Sequence, residues 1–236
     1  MNKILQSITE WGIRIKELRR LRKSGRKNII DVNHADLHRL KIRISGQNNT
    51  VRIGKLKPGK AIVEIRVHGE GNEVTLGDNI SVSQSLRIYA GAAHPNMGPV
   101  QGVKIEIGTG CSCENVRMIT YNSHAEIKIG QNCMFSFGIN IYHTDGHPIL
   151  DAQSRQVINR VRNLSIGNHV WVGANTTILK NVIIGNESII GWGSVVSGKF
   201  PKDNCIIAGN PAQVVREGVT WQADGASCGY IANEAE

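Results

Sequence analysis

Two imidazoles and a carboxylate stand within five consecutive positions of Tyr142-His143-Thr144-Asp145-Gly146-His147-Pro148. A neutral imidazole accepts a proton near pH 7, so either histidine has the chemistry of a general base acting on a hydroxyl nucleophile. Asp145, or the second histidine, could orient the ring that does the work or touch the substrate. With His124 and His169 added, the same residues could instead ligate a metal, provided that three of them converge. The five cysteines, Cys111, Cys113, Cys133, Cys205 and Cys228, are odd in number and lack C-x-x-C spacing. Reduced thiols in the cytosol are expected, not a disulfide framework or a zinc knuckle. They fall at core or tail positions, which suit packing and not covalent chemistry.

The elements that must hold these groups follow a period of six. Ile166, Val172, Ile178, Ile184, Ile190 and Val196 recur at that interval, and Gly follows the aliphatic at 167, 173, 185 and 191. Four positions after each of the first five aliphatics stands a small or β-branched residue: Val170, Thr176, Val182, Ser188 and Ser194. Weaker copies lie upstream at Leu76, Val82 and Ile88, at Ile107, Cys113 and Ile119, and at Ile129, Phe135 and Ile141. Cys111 and Cys133 occupy the small-residue position and read as packed core thiols. Six residues match neither the 3.6 period of an α-helix nor the 2.0 period of a strand. They match a solenoid in which each hexad is a short strand plus a corner and three hexads close a triangular coil. Such a coil is too thin to bury its own interior, so neighbours must stack. Gly suits tight corners where a bulky side chain or a restricted φ would not fit.

The solenoid is expected over residues 40–217, with its regular coils running to about 208. It is interrupted at residues 90–102 and 143–163, where loops leave a rigid stack and carry function. Residues 1–39 form a basic segment. In it Ile4, Ile8, Trp11, Ile15 and Leu18 make a 3–4-spaced apolar stripe, so residues 3–23 read as an amphipathic helix. That helix could pack on its own domain or a neighbouring subunit, or lie on a membrane surface. Residues 1–60 hold 16 Lys+Arg against 4 Asp+Glu, a net of +12 that accounts for the whole +9 of the chain. The rest is mildly acidic, so nucleic acid is not the natural partner; an anionic glycan, a membrane-attached precursor or a subunit is. No run of 18 apolar residues spans a membrane, and residues 1–26 lack the apolar core of a secretory signal. Residues 218–236 read as a polar tail.

In these hexads the chain resembles the hexapeptide-repeat acyltransferases, which form left-handed parallel β-helices. The resemblance covers about residues 70–217 and is most specific in VWVGANTTILKNVIIGNESIIGWGSVVSGKFPKDNCIIAGNPAQVVRE. It is greatest to the sugar and polysaccharide O-acetyltransferases, and it implies an all-β solenoid, a homotrimer and acetyl-CoA in clefts between subunits. The His147-Pro148 pair matches the family's catalytic histidine, and Trp171 follows at the family's spacing; His143 is the alternative base. The resemblance places Gly173 and Ala174 at the thioester and pantetheine arm, Gly191 and Trp192 along that arm, Ser197 and Lys199 near the adenine and phosphates, and Arg216 at the 3′-phosphate. It sets Asn115 near the acceptor. Two departures stand out: Lys199 is displaced by one position, and a second arginine near Gln213 is missing.

The expected function is transfer of acetyl from acetyl-CoA to a hydroxyl of a carbohydrate, such as a surface polysaccharide or its precursor, in the cytosol. One competing reading is a γ-type carbonic anhydrase, which has the same β-helix, although this chain lacks that family's spaced histidines. Another is an antibiotic-type acetyltransferase, whose tyrosine-proline-phenylalanine element is missing here. A non-catalytic solenoid would have no long loop with paired histidines.

Overall fold

A computed structural model describes residues 20–91 and 99–223. Each of the six in-phase aliphatics sits in a strand of two to four residues, and the chain turns between hexads. Pairing is parallel, and its register shows how a coil closes. Ile166 lies beside Ile184, Val172 beside Ile190 and Ile178 beside Val196, each partner being three hexads further on. Three hexads therefore make one turn of a parallel β-helix.

The stacked turns form a prism with three faces. The first carries Met134–Phe135, Trp171–Val172, Ile189–Ile190 and Cys205–Gly209. On the second lie Ile139–Tyr142, Thr177–Leu179 and Val195–Val196. The third runs through Glu126–Ile129, Asn163–Ile166, Ile183–Ile184 and Lys199–Phe200. Upstream the coils are longer. Ser81–Ala90 and Ser112–Thr120 each cross from the first face onto the second, with a register break between Val82 and Ser85. Leu40–Gln47 and Ile62–Glu70 continue the second face towards the N-terminus.

Burial explains the sequence pattern. All six in-phase aliphatics are buried, and so are Val170, Thr176, Val182, Ser188 and Ser194. The hydroxyls among them donate to corner carbonyls, Thr176 to Gly173 at 2.7 Å and Ser194 to Gly191 at 2.7 Å, so a polar atom can sit in the core without penalty. Cys111, Cys113, Cys133 and Cys205 are free and buried. Of the two reasons expected for the glycines, lack of room and not φ applies at Gly167 and Gly185. Gly167 and Gly185 do not use positive φ; a Cβ on Gly185 would stand 2.4 Å from the Lys202 carbonyl oxygen, and one on Gly167 2.7 Å from the Asn186 nitrogen. Close approach of one coil to the next excludes the side chain. Left-handed corners are instead held by Asn132, Asn175, Asn181 and Asn204, and by His124 and His169.

Residues 1–19, which hold most of the expected amphipathic helix, lie outside the described residues, as do 92–98 and 224–236. The end of that helix is not helical: Leu21–Arg26 is a strand paired in parallel with Leu40–Gln47. An open sheet edge offers this segment a full ladder of backbone partners, which outweighs a helical periodicity. The stack thus includes strands ahead of residue 40. The described residues contain no α-helix, only a 3-10 turn at His34–Arg39.

Candidate active site

The second-face strand Ile139–Tyr142 delivers the chain into the loop of residues 143–162. His143, the first residue past the strand, turns its imidazole into the core. It is fully buried, and neither ring nitrogen has a hydrogen-bond partner. Its backbone N–H donates to the Ile119 carbonyl at 2.9 Å, which locks it to the coil below. Burial pushes its pKa down to about 4, opposed in part by the nearby Arg162 backbone. This ring is neutral at pH 7 but closed to a substrate.

His147 is exposed and lines a cleft of about 380 Å³ together with Thr144, Asp145, Asn159 and Asn122. Asn159 sets the loop: its amide donates to Asp145 Oδ2 at 2.6 Å and to the His147 carbonyl at 2.9 Å. Lys180, from the coil above, places Nζ 2.7 Å from Asp145 Oδ2. Burial alone would raise the Asp145 pKa, but the Lys180 ammonium and the Asn159 amide outweigh it and hold the carboxyl below its ordinary value. Asp145 therefore anchors the loop to the prism and makes no bond to the imidazole.

A second hollow opens at the corner between the first and second faces. Phe135, Val172 and Ile190 pair in register. Phe137, Ala174 and Trp192, each two positions later, therefore rise above one another. With Ser136, Trp171, Gly173 and Gly191 they line a slot of about 280 Å³. Trp192 meets Phe137 edge-to-face at 5.2 Å yet stays 66% exposed. The Trp171 indole N–H donates to Ser136 Oγ at 3.4 Å. The Gly173 and Gly191 amides donate to the Ile190 and Ile207 carbonyls, at 2.8 and 2.9 Å, and so serve the coil ladder. Ala174 and Trp192 follow these two glycines on the wall of the slot. Asn115 sits at the same corner, donating to Ser85 Oγ at 3.3 Å.

Ser197 and Lys199 are exposed where the second face turns into the third. Arg216 is exposed on Ala212–Glu217, a strand that folds back antiparallel on Cys205–Gly209. The candidate residues thus fall into two groups in one chain: His147, Asp145 and Ser197 at one corner, Trp171, Ala174, Trp192 and Asn115 at another. A face of about five extended residues puts these corners roughly 15–20 Å apart. His169 lies at the third corner, bonded to Glu187 at 2.6 Å. The histidines at 124, 143, 147 and 169 do not converge, and no group of three His, Cys, Asp or Glu side chains among the described residues is placed to hold a metal.

Residues 163–198 match the family model described as bacterial transferase hexapeptide (six repeats). The polysialic acid O-acetyltransferase of Neisseria meningitidis is 33% identical over 187 residues, covering 75% of this chain and 86% of that protein. The chain belongs to the hexapeptide-repeat acyltransferases. Among solved structures, this acyltransferase is similar to the polysialic acid O-acetyltransferase OatWY, with 27% identity, a TM-score of 0.66, and 86% of this chain and 92% of that one covered. It is also similar to the polySia-specific acetyltransferase NeuO, with 26% identity, a TM-score of 0.64, and 87% and 89% covered.

Among the residues that line or brace the acyltransferase's two hollows, Phe137, Lys180 and Asn159 escaped sequence reasoning. Phe137 was legible in principle, because it follows its hexad aliphatic at the same distance as Ala174 and Trp192. Lys180 occupies an outward corner position that spacing alone does not distinguish from any solvated lysine. Asn159 lies in the irregular loop, where nothing periodic marks it.

Proposed function

We propose that the protein transfers an acetyl group from acetyl-CoA to a hydroxyl of a carbohydrate, with His147 as the general base. The observation that carries this reading is the exposed imidazole of His147, without a hydrogen-bond partner among the described residues, in a cleft beside a loop held by Asn159, Asp145 and Lys180. His147 Nε2 or Nδ1 takes the proton of the acceptor hydroxyl as its oxygen attacks the thioester carbonyl. The C–O bond forms, the C–S bond breaks, and the thiolate leaves with the proton returned to it. His143, closed inside the core, supports the loop and not the proton transfer.

The slot fits the arm of an acyl-CoA by its chemistry. Phe137, Trp171, Ala174 and Trp192 offer apolar walls for a pantetheine chain, and a backbone amide at Ala174 suits a thioester carbonyl. Gly173 and Gly191 contribute closeness of backbone. Ser197, Lys199 and Arg216 supply a hydroxyl and two cations for phosphates. Acetyl-CoA supplies the activated acyl group, and its use puts the reaction in the cytosol.

Because base and slot lie on different corners, the working site joins the loop of one chain to the slot of another, in a homotrimer with left-handed coils. Exposed apolar side chains favour this: Ile149, Leu150, Val157 and Ile158 on the loop, and Trp192 beside the slot. The carbohydrate is a surface polysaccharide or its precursor, in line with the acceptors for which the relatives above are named. The basic N-terminal segment is the part proposed to meet a membrane or a neighbouring subunit. The test is mass spectrometry of polysialic acid and neutral glycans after incubation with purified protein and acetyl-CoA. A gain of acetyl groups on any of them supports the reading. Free CoA released without acetylated product, or no CoA released, overturns it.

A further inference from the structure

The outward side of the second face is unusually basic at its N-terminal end. Register places Arg22, Arg43, Arg66 and Tyr89 in one row, and Lys41, Glu64, Arg87, Arg117 and Asn140 in the next. Neighbours in such a row are about 4.8 Å apart. Like charges set directly opposite one another destabilise a sheet, so six cations in two adjacent rows call for counter-charge. The rows themselves contain one carboxylate, Glu64, which binds Arg66 at 2.7 Å and Lys41 at 3.3 Å. Arg43 and Arg87 have no acidic partner among the described residues. Arg66 and Arg117 rest on the Tyr89 ring, 5.1 and 5.6 Å from its centroid, which holds their guanidinium groups in place. Lys41, Arg43, Glu64 and Arg87 also border a hollow of about 440 Å³.

These rows lead somewhere. One runs on through Asn140 to Thr177, and the other crosses Ile119 to Tyr142, the residue before His143 and the start of the loop that carries His147. We propose that this face is a track for a linear, multiply negative saccharide, which lies along the prism axis across successive coils and presents its end or a middle unit to the His147 cleft. The proposal rests on the carbohydrate acceptor proposed above and adds its class: an acidic polymer bound over several units. A rigid β-solenoid suits this, since a regular ladder of cations matches a regular series of carboxylates without reordering the protein.

Binding of polysialic acid to the full chain, measured without acyl donor by titration calorimetry at low and high salt, tests the track. Salt-dependent binding is expected, as for any polyelectrolyte meeting fixed cations. In Arg43→Gln/Arg87→Gln/Arg117→Gln the affinity and the KM for long polymer should worsen by about tenfold or more, while kcat at saturation is retained. The charges are on the surface, so the variant should fold, and circular dichroism checks it. Unchanged affinity, equal binding of neutral dextran, preference for anionic phospholipid vesicles over polymer, or an altered oligomeric mass in the variant would each overturn the track. Because binding is read without turnover, polymer binding with no acetylated product refutes the transferase reading alone. Acetylated product with no polymer binding refutes the track alone.

Discussion

His169 lies flat against Trp221, with ring centroids 4.2 Å apart and planes within 10° of parallel. The stack is tied at both ends. Trp221 donates its indole N–H to the His169 carbonyl at 2.8 Å, and Glu187 accepts from His169 Nδ1 at 2.6 Å and from the Thr220 hydroxyl at 2.9 Å. The chain after the last coil thus returns across the third corner and lays Trp221 6.1 Å from Trp171, a wall of the slot. Trp221→Ala should loosen Trp171 and raise the KM for acetyl-CoA several-fold. It should also cost on the order of 3 kcal/mol, since Trp221 is 7% exposed. Thermal unfolding and initial rates check both; Trp221→Phe, which keeps the ring but loses the N–H, should fall between.

His147→Ala should lower kcat by about a hundredfold or more, the range for loss of a positioned general base. Its side chain is exposed, so the unfolding midpoint should stay within about 0.5 kcal/mol of wild type. Retained turnover in this variant would remove His147 from the chemistry.

A mixed oligomer separates one-chain from two-chain sites. His147→Ala and Trp192→Ala chains, each poorly active alone, should regain measurable activity when refolded together, since some interfaces then pair an intact loop with an intact slot. Activity no greater than that of the separate variants would mean that each site is built within one chain.

Acid should weaken the fold through His143. Its pKa is about 4 when folded, against an ordinary value near 6.5, so between these values the unfolded chain binds a proton that the native state refuses. Stability is full above about pH 6.5 and falls as pH drops towards 4, by on the order of 3 kcal/mol in total. Urea midpoints across that interval measure it, and in His143→Leu this part of the pH dependence should vanish.

Gly185→Ala should destabilise without any strain in φ. The added methyl would press on the Lys202 carbonyl oxygen at 2.4 Å and force two coils apart. A loss of about 2 kcal/mol is expected, as for overpacking elsewhere, read as a lower denaturant midpoint. Ala at Gly193, where nothing lies within 4 Å but φ is positive at 68°, should cost less, about 1 kcal/mol.

The period of six was enough to read the coils in the sequence, because each hexad buries its aliphatic against the equivalents above and below, and that demand repeats without regard to distant residues. Ile166, Val172 and Ile178 predicted their own partners at Ile184, Ile190 and Val196. The same periodic reasoning put Cys111 and Cys133 in the core and marked residues 143–163 as a departure from it. Where the pattern stops, sequence reasoning loses its grip. His147 stands four positions after His143, and their types are the same, yet one is sealed in the core and the other faces a cleft. His143 continues the inward alternation of Ile139 and Ile141, whereas the loop at His147 is held by Asn159 and, through Asp145, by Lys180, which are distant along the chain. Likewise the arginines at 43, 66, 87 and 117 are scattered in sequence, and only coil-on-coil register makes them neighbours. The sequence by itself determined the repeat, the fold class and the loop that leaves it. Tertiary structure alone decided which histidine is accessible, which carboxylate is already engaged and which charges share a face, because these depend on contacts between coils and not on spacing within one.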